Sequence, residues 1–407
     1  MIQIETFPTK DKQSLTFDIK GDKETGLHKS VINSIRRTLL SSIPSVAFRT
    51  LIDESDIHIV KNTTSLHNEF MLHRISMIPL YINPSTYKKN YLFSLKVEEA
   101  VDLPIRNVTA NDFQIFPLKQ DVNPDEIKEI QVSDYQMDNP LSDEEKQNIF
   151  RPFSFKGKNH YCIITELKKS MSEKKQALEL YGVPSISYAY EDARWQSVSR
   201  ASYLFKKNEE LFQSIFQEKL QLQNIPEEEQ ENFKKSLEIS ESERYFHRDL
   251  NMEPYWYSFT IDAVHHHKPK DLFIQACEII IEQLSIIKEE FSKLPTGKES
   301  IIDLESKQGS IYHITLNGYD DTIGNILQTH IVNHQINDET SVGVCGYKKV
   351  HPLEDKIKFI VSLNMNHPVS KLSEPQKVNE LIKVFHETCD ELSKLYQEII
   401  QSANDSM

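Results

Sequence analysis

Glycine is scarce: the 407-residue chain contains ten. Neither G-x-x-x-x-G-K-[ST] nor G-x-G-x-x-G occurs, which removes the glycine-rich loops that cradle phosphates in many nucleotide-binding folds. Cysteine is scarcer still. Cys162, Cys277, Cys345 and Cys389 are widely scattered with no C-x-x-C spacing, so neither a thiolate zinc site nor a redox pair is expected, and free thiols in a reducing compartment are. No apolar run reaches the roughly 18 residues of a membrane span, and the opening "MIQIETFPTKDKQSLTF" lacks the basic start and apolar core of a secretory signal. The expectation is a soluble protein of the cytosol or nucleus. Positive charge is in deficit: 47 Lys+Arg against 61 Asp+Glu leave a net charge of −14. That field repels polyanions, so contact with nucleic acid would require a local basic patch.

What is present is length enough for two or three domains with real cores and a pattern that recurs. "QSLTFDIKG" alternates as a half-buried strand does. A helix is expected from Leu27 to Ile43, where Val31, Ile35 and Leu39 form an apolar stripe, Asn33, Arg36 and Arg37 face elsewhere, and Pro44 ends it. "SVAFRTLIDESDIHIV" reads as a strand pair and "TTSLHNEFMLHRISMIPL" as a second helix with Leu66, Phe70 and Met71 inward. After residue 84 short strands alternate with polar, Pro- and Asp-bearing loops to about residue 185, the character of an inserted small domain of mixed α and β. Two acidic amphipathic helices follow around "NIPEEEQENF". "YWYSFTIDAV" is a strand, and "KDLFIQACEIIIEQLSIIKEEF" a helix with Phe273, Ala276, Ile280, Leu284 and Ile287 on one stripe. Past a linker, "SIYHITLNG", "DTIGNILQTHIVNH", "SVGVCGYKKVHPLEDKIKFIVSL" and a helix bearing Val378, Phe385, Leu392 and Ile399 in register repeat the order strand, helix, strands, long helix. Each copy offers a long apolar helix face, and the two are expected to pack on each other.

"VINSIRRTLLSSIPSVAF" followed by "VKNTTSLHNEFMLHRISMIPL" resembles the alpha-type assembly subunits of multisubunit RNA polymerases, namely the archaeal D subunit and the third-largest subunit of RNA polymerase II. "YDDTIGNILQTHIVNHQINDETSVGVCGYKKVHPLEDKIKFIVSL" is similar to their smaller partner, the archaeal L subunit and its eukaryotic counterpart. "VPSISYAYEDARWQSVSRASYLF" resembles the family's return from its inserted domain, with Asp192 where that signature carries a histidine. One chain holding both partners resembles the fused arrangement of nucleocytoplasmic large DNA viruses. The resemblance implies an α+β fold: two alpha-like dimerisation folds of mixed sheet and long helices, packed as an intramolecular pseudo-dimer, with an inserted small α/β domain.

The implied division is 1–83 and 186–292 for the D-like domain, 84–185 for the insertion, 208–250 for the acidic excursion, 293–305 for the linker and 306–407 for the L-like domain. The implied function is a non-catalytic scaffold that binds the largest and second-largest polymerase subunits, with further small subunits possible and DNA reached only through the complex. Host cytoplasm, a viral factory, the nucleus or the virion would be its setting. The residues this singles out for partner binding are Asn33, Arg36, Arg37, Glu69, His73, Arg74, Tyr347, Lys348 and His351, with Arg37 foremost. Those singled out for the pseudo-dimer core are Val31, Ile35, Leu39, Phe273, Ile280, Leu284, Leu327, Phe385, Leu392 and Ile399. For the arginines a solvated helix face is the plain alternative, and for Glu69 and His73 a local i, i+4 pair. Gly324, Asn325 and the turn from Gly346 to Leu353 suit element junctions.

No cofactor or metal is expected. Only Cys162 lies in the insertion, where some relatives carry a cysteine-ligated zinc or iron–sulfur cluster. His265, His266 and His267 are consecutive, so in a strand they point to opposite faces. "YDD" at 319 to 321 is placed at a helix start, where acids cap. Two other readings stand beside the scaffold. One is a stand-alone module recruiting transcription regulators through the acidic excursion, and the other is a hydrolase or nucleotidyltransferase whose triad the spacing does not reveal.

Overall fold

Alternation builds the first sheet. In "WYSFTIDA" the side chains of Tyr257, Phe259 and Ile261 are buried and their neighbours half-exposed, the period of a strand with one face on a core. A computed structural model describes residues 2–7, 12–24, 26–51, 54–100, 104–123, 131–170, 175–241, 244–264, 267–294, 300–307, 310–336 and 340–406. The chain divides into two compact units, Met1–Leu39 with Arg200–Asp262 and Pro269–Met407, and Leu40–Ser199 with Ala263–Lys268.

The first unit holds the repeat. Strands β1 (Gln3–Phe7), β2 (Ser14–Lys20), β13 (Val198–Phe205) and β14 (Trp256–Ala263) form a sheet in the order β1-β2-β14-β13. Helix α1 (Lys29–Ser41) follows β2, and α6 (Pro269–Lys293) follows β14. Then β15 (Ile302–Lys307), β16 (Ile311–Asn317), α7 (Asp321–His334), β17 (Val342–Lys349), β18 (Lys356–Leu363) and α8 (Glu374–Ser406) make a second sheet, ordered β15-β16-β18-β17. The two orders coincide strand for strand, and the helices fall at the same two places. In the first copy β2 and β14 set Phe17 opposite Phe259, with ring centroids 5.5 Å apart, and Phe273 of α6 meets Phe17 edge-on at 5.0 Å. Helices α4 (Glu209–Gln223) and α5 (Glu227–Glu241) are inserted between β13 and β14 and bury a small core of their own: Phe212, Phe216, Leu220 and Leu237.

The second unit is built on the sheet β4-β11-β5-β7, from β4 (Ile57–Asn62), β5 (Tyr91–Glu98), β7 (Gln114–Pro117) and β11 (Ala177–Gly182). Three strand pairs accompany it: β3 (Pro44–Ala47) with β12 (Ser185–Tyr188), β6 (Ile105–Thr109) with β10 (Ile163–Lys168), and β8 (Phe153–Phe155) with β9 (Lys158–His160). Two short helices, α2 (Asn68–Ser76) and α3 (Asp143–Ile149), complete it.

Several boundaries differ from the sequence reading. Helix α1 is shorter at both ends than 27–43. Strands β3 and β4 do not pair with each other; each finds a partner from the far end of the insertion, β12 and β11, because the hydrogen-bonding edge nearest in space is not the nearest in sequence. The unit containing the insertion begins at Leu40, well ahead of residue 84. Strand β15 begins inside the expected 293–305 linker, held by full antiparallel pairing to β16. In α2 the cap is His67, and Phe70 is 68% exposed while Met71 and Ile75 face the core. The helix starts at Asn68, so Leu66 lies ahead of it and forms no i, i+4 stripe with Phe70; Met71 and Ile75 make the inner stripe instead. His265 and His266 lie outside the described residues.

Candidate functional site: where the two copies meet

Each long helix carries its apolar stripe into the same seam. On α6 Phe273, Ala276, Ile280, Leu284 and Ile287 are fully buried, and on α8 Phe385, Leu392, Tyr396 and Ile399 are. Phe291 of α6 stacks on Phe385 of α8 at 4.6 Å between centroids, and Phe359 of β18 meets Phe385 edge-on at 5.6 Å. At the seam's rim Lys288 Nζ donates to both carboxylate oxygens of Asp390, at 2.6 and 2.7 Å. Val31, Ile35 and Leu39 of α1 and Leu327 of α7 are buried as well. Thus all ten side chains assigned to the pseudo-dimer core are inside the protein.

Polar groups fix how α1 sits against the second copy. Ser34 Oγ donates to Val31 O at 2.7 Å and shares a 2.6 Å hydrogen bond with Tyr396 Oη, buried on both sides. Burial raises the Tyr396 phenol well above its ordinary value, so the group stays neutral and able to donate. A buried bond of this kind is worth about 0.5–1.5 kcal/mol, and more is lost if one partner is left unpaired.

Three residues after Ser34, Arg37 reaches the start of α7. Its Nε donates to Thr322 Oγ1 at 2.7 Å and its terminal NH2 donates to Asp320 Oδ2 at 2.7 Å. Asp320 is the N-cap of α7: Oδ1 accepts from the Thr322 N–H at 2.9 Å, with the backbone extended. One carboxylate therefore caps the helix and pairs the arginine of the other copy. The guanidinium fork expected to reach a large subunit is engaged within the chain. Burial works to raise the Asp320 carboxyl, but hydrogen bonds from Thr322 and the Arg37 charge outweigh it and hold the group below its ordinary 3.8.

A carboxylate so depressed stabilises the fold above its unfolded value and loses that contribution as pH falls through the folded one. Asp320→Asn, which can still cap, is therefore expected to cost about 1 kcal/mol at pH 7 and less near pH 3, below the ordinary carboxyl value, given that the pair is roughly one-third exposed. Urea titrations at the two pH values measure this, and an equal cost at both would contradict the assignment.

The remaining assigned residues scatter. Arg36 Nε donates to Asn33 Oδ1 at 2.9 Å, one turn apart on α1. Tyr347 of β17 packs over Gly324, where a Cβ would lie 2.7 Å from its ring, and sits 5.8 Å from Phe359. Only glycine admits that ring against α7. Lys348 is exposed, and His351 Nδ1 accepts from the Leu353 N–H at 3.2 Å inside its own turn. In the second unit Arg74 spends its fork on backbone, Nε to Ile164 O at 2.7 Å and NH2 to Ile163 O at 2.8 Å, tying α2 to β10. Glu69 and His73 are both exposed, and no ion pair joins them among the described residues.

Sequence reasoning did not single out Ser34, Tyr396, Thr322, Lys288 or Asp390. The capping pattern Asp-x-Thr in "YDDT" was a signal for Thr322; for the others only contact in space reveals the role. Asp192, which replaces the family's histidine, caps the next turn and pairs with Arg194 Nε at 3.0 Å. Among the described residues no three His, Cys, Asp or Glu side chains are placed to hold a metal ion.

The sequence matches known proteins over much of its length. The RNA polymerase Rpb3/Rpb11 dimerisation domain matches twice, over residues 23–284 and 312–402. The "DNA-directed RNA polymerases I and III subunit rpac1" of Dictyostelium discoideum is 23% identical over 297 residues, 66% of this chain and 77% of its own length. The "DNA-directed RNA polymerase subunit Rpo3" of Pyrobaculum neutrophilum is 36% identical over 55 residues, 14% of this chain and 19% of its own. Human "DNA-directed RNA polymerases I and III subunit RPAC1" is 27% identical over 78 residues, 19% of either chain. Two sheets of one strand order, two long helices in one seam and two matches in tandem lead to one conclusion: the chain belongs to the RNA polymerase Rpb3/Rpb11 dimerisation-domain family, as an alpha-like polymerase subunit with two copies of that domain.

Proposed function

We propose that this chain is a fused alpha-like heterodimer, a D-like and an L-like half that pair within one polypeptide and serve as the non-catalytic platform on which the largest and second-largest subunits of a DNA-directed RNA polymerase assemble. The observation that carries the reading is the α6–α8 seam, locked by Phe291 on Phe385 and by Arg37 across to the α7 cap. Joining the halves makes their association intramolecular, at an effective concentration on the order of millimolar, so dilution does not part them. The assigned side chains left to meet a partner are then exposed ones, Glu69, His73, Lys348 and His351 among them. The fused arrangement supports a virus-encoded subunit acting in the host cytoplasm, a viral factory or the nucleus.

Affinity capture tests the platform. A tagged chain co-expressed with the two largest polymerase subunits of its source is expected to retain both in stoichiometric amounts. Recovery of the chain alone would refute it.

A further inference from the structure

The ribbon β8–β9 has no face on any core. All residues from Phe153 to His160 are exposed, and their two strands pair only with each other. Lys156 (φ 49°) and Gly157 (φ 74°) form its two-residue turn, both in the left-handed region that such tight hairpin turns require. Cross-strand register sets Phe153 opposite His160 and Phe155 opposite Lys158, so these four share one face. Phe153 and Phe155 are 69% and 54% exposed, their rings nearly parallel at 13° with centroids 6.4 Å apart. Lys156 Nζ lies 5.3 Å from the Phe155 ring centre, and Arg151, at the foot of the ribbon, sits over the Tyr81 ring at 4.4 Å.

A lone two-stranded ribbon is marginal in water, and apolar rings on it make it worse. Lysines on a free edge guard against aggregation, but that accounts for the lysines and leaves the phenylalanines unexplained. The charge is unusual for this chain. From Arg151 to His160 there are three permanent cations and no carboxylate, in a protein of net charge −14. Flat, near-parallel aromatic faces beside cations, on a ribbon that carries no carboxylate of its own, are what bases and phosphates require of a protein surface. An acidic polypeptide would meet the lysines and leave the rings uncovered.

We propose that the Phe153–Phe155 face of this ribbon binds single-stranded nucleic acid, bases stacking on the two rings and phosphates meeting Lys156, Lys158 and Arg151. This is the local basic patch that the overall charge demands of any nucleic-acid contact. It does not depend on which subunits the chain assembles with.

The test is fluorescence anisotropy of labelled oligo(U) and oligo(dT) 12-mers with the purified full chain across a salt series, with a 12-residue polyglutamate as the rival ligand. Both oligonucleotides are expected to bind with affinity that falls as salt rises. F153A/F155A is expected to weaken binding about tenfold or more, since each stacked base contributes roughly that much, while K156A/K158A flattens the salt dependence. All four positions are exposed, so the fold is expected to survive, with circular dichroism as the check. A preference between oligo(U) and oligo(dT) would assign the strand as RNA or DNA. Absence of binding, binding indifferent to both double variants, or polyglutamate bound as tightly and with the same sensitivity would overturn the proposal, the last by making the occupant an acidic polypeptide.

Discussion

Phe385→Ala is expected to destabilise the first unit by about 3–5 kcal/mol, the usual cost of deleting a buried aromatic ring where the surroundings cannot close over the space. The position has no solvent-exposed surface. One face of the ring is stacked on Phe291 of α6, and its edge meets Phe359 of β18, so removal opens a void where the two long helices and the second sheet converge. Both contacts come from rigid elements, which limits collapse. Against a typical total of about 5–15 kcal/mol this is a large share, and a domain this size should show it as a fall in thermal midpoint of several degrees. Phe385→Leu keeps most of the volume and should recover over half of the loss. A cost below about 1 kcal/mol for Phe385→Ala in urea titration would mean that the seam is not packed as described.

Trp195→Ala should cost the second unit a comparable amount, about 3–5 kcal/mol. Trp195 is 1% exposed, its Nε1 donates to Ser185 O at 3.3 Å, and the guanidiniums of Arg49 and Arg194 each lie 5.4 Å from the ring centre. Arg194 is itself buried, donating to Phe48 O and Thr50 Oγ1 and paired with Asp192. Removing the indole takes away the cation–π partner of two cations, one of them out of water, in addition to the lost packing. Trp195→Phe should recover part of the packing and leave Ser185 O without its indole donor. Hydrogen exchange reads the effect locally: amides of β3 and β12, which pair beside this side chain, should exchange faster in Trp195→Ala. Unchanged protection there would contradict the anchoring role.

How much of this the sequence announced depends on the range of the forces involved. The long helices α6 and α8 were legible because their stripes repeat every turn over many turns, and Phe273, Ile280, Phe385 and Leu392 fell where periodicity put them. The repeated order of strands and helices was legible for the same reason. Phe70 was misread because it was grouped with Leu66, which lies ahead of the helix start at Asn68, while Met71 and Ile75, one turn apart, take the inner face. Arg74 was assigned to partner binding from the resemblance of its helix, yet two backbone carbonyls of β10 lie within its reach. The pairing of β3 with β12 joins segments far apart in sequence, and no local pattern specifies it. Arg37 was expected to reach a large subunit, and its contact at Asp320 within the chain could not be read from the sequence because it depends on the packing of one copy against the other. The ribbon at 153 to 160 was passed over as part of a loop-rich insertion, although "FSFKGKNH", with alternating phenylalanines and a Lys-Gly turn, carries the mark of an exposed hairpin.

The most direct test of the paired-platform account is to part the copies. Residues 1–294 and 300–407, expressed as separate chains, are expected to associate one to one through the α6–α8 seam, and that complex should capture both large polymerase subunits while neither half alone captures the pair. Phe385→Ala in the smaller half should weaken the association. Halves that stay apart at micromolar concentration, or a single half that gathers both large subunits unaided, would contradict the account.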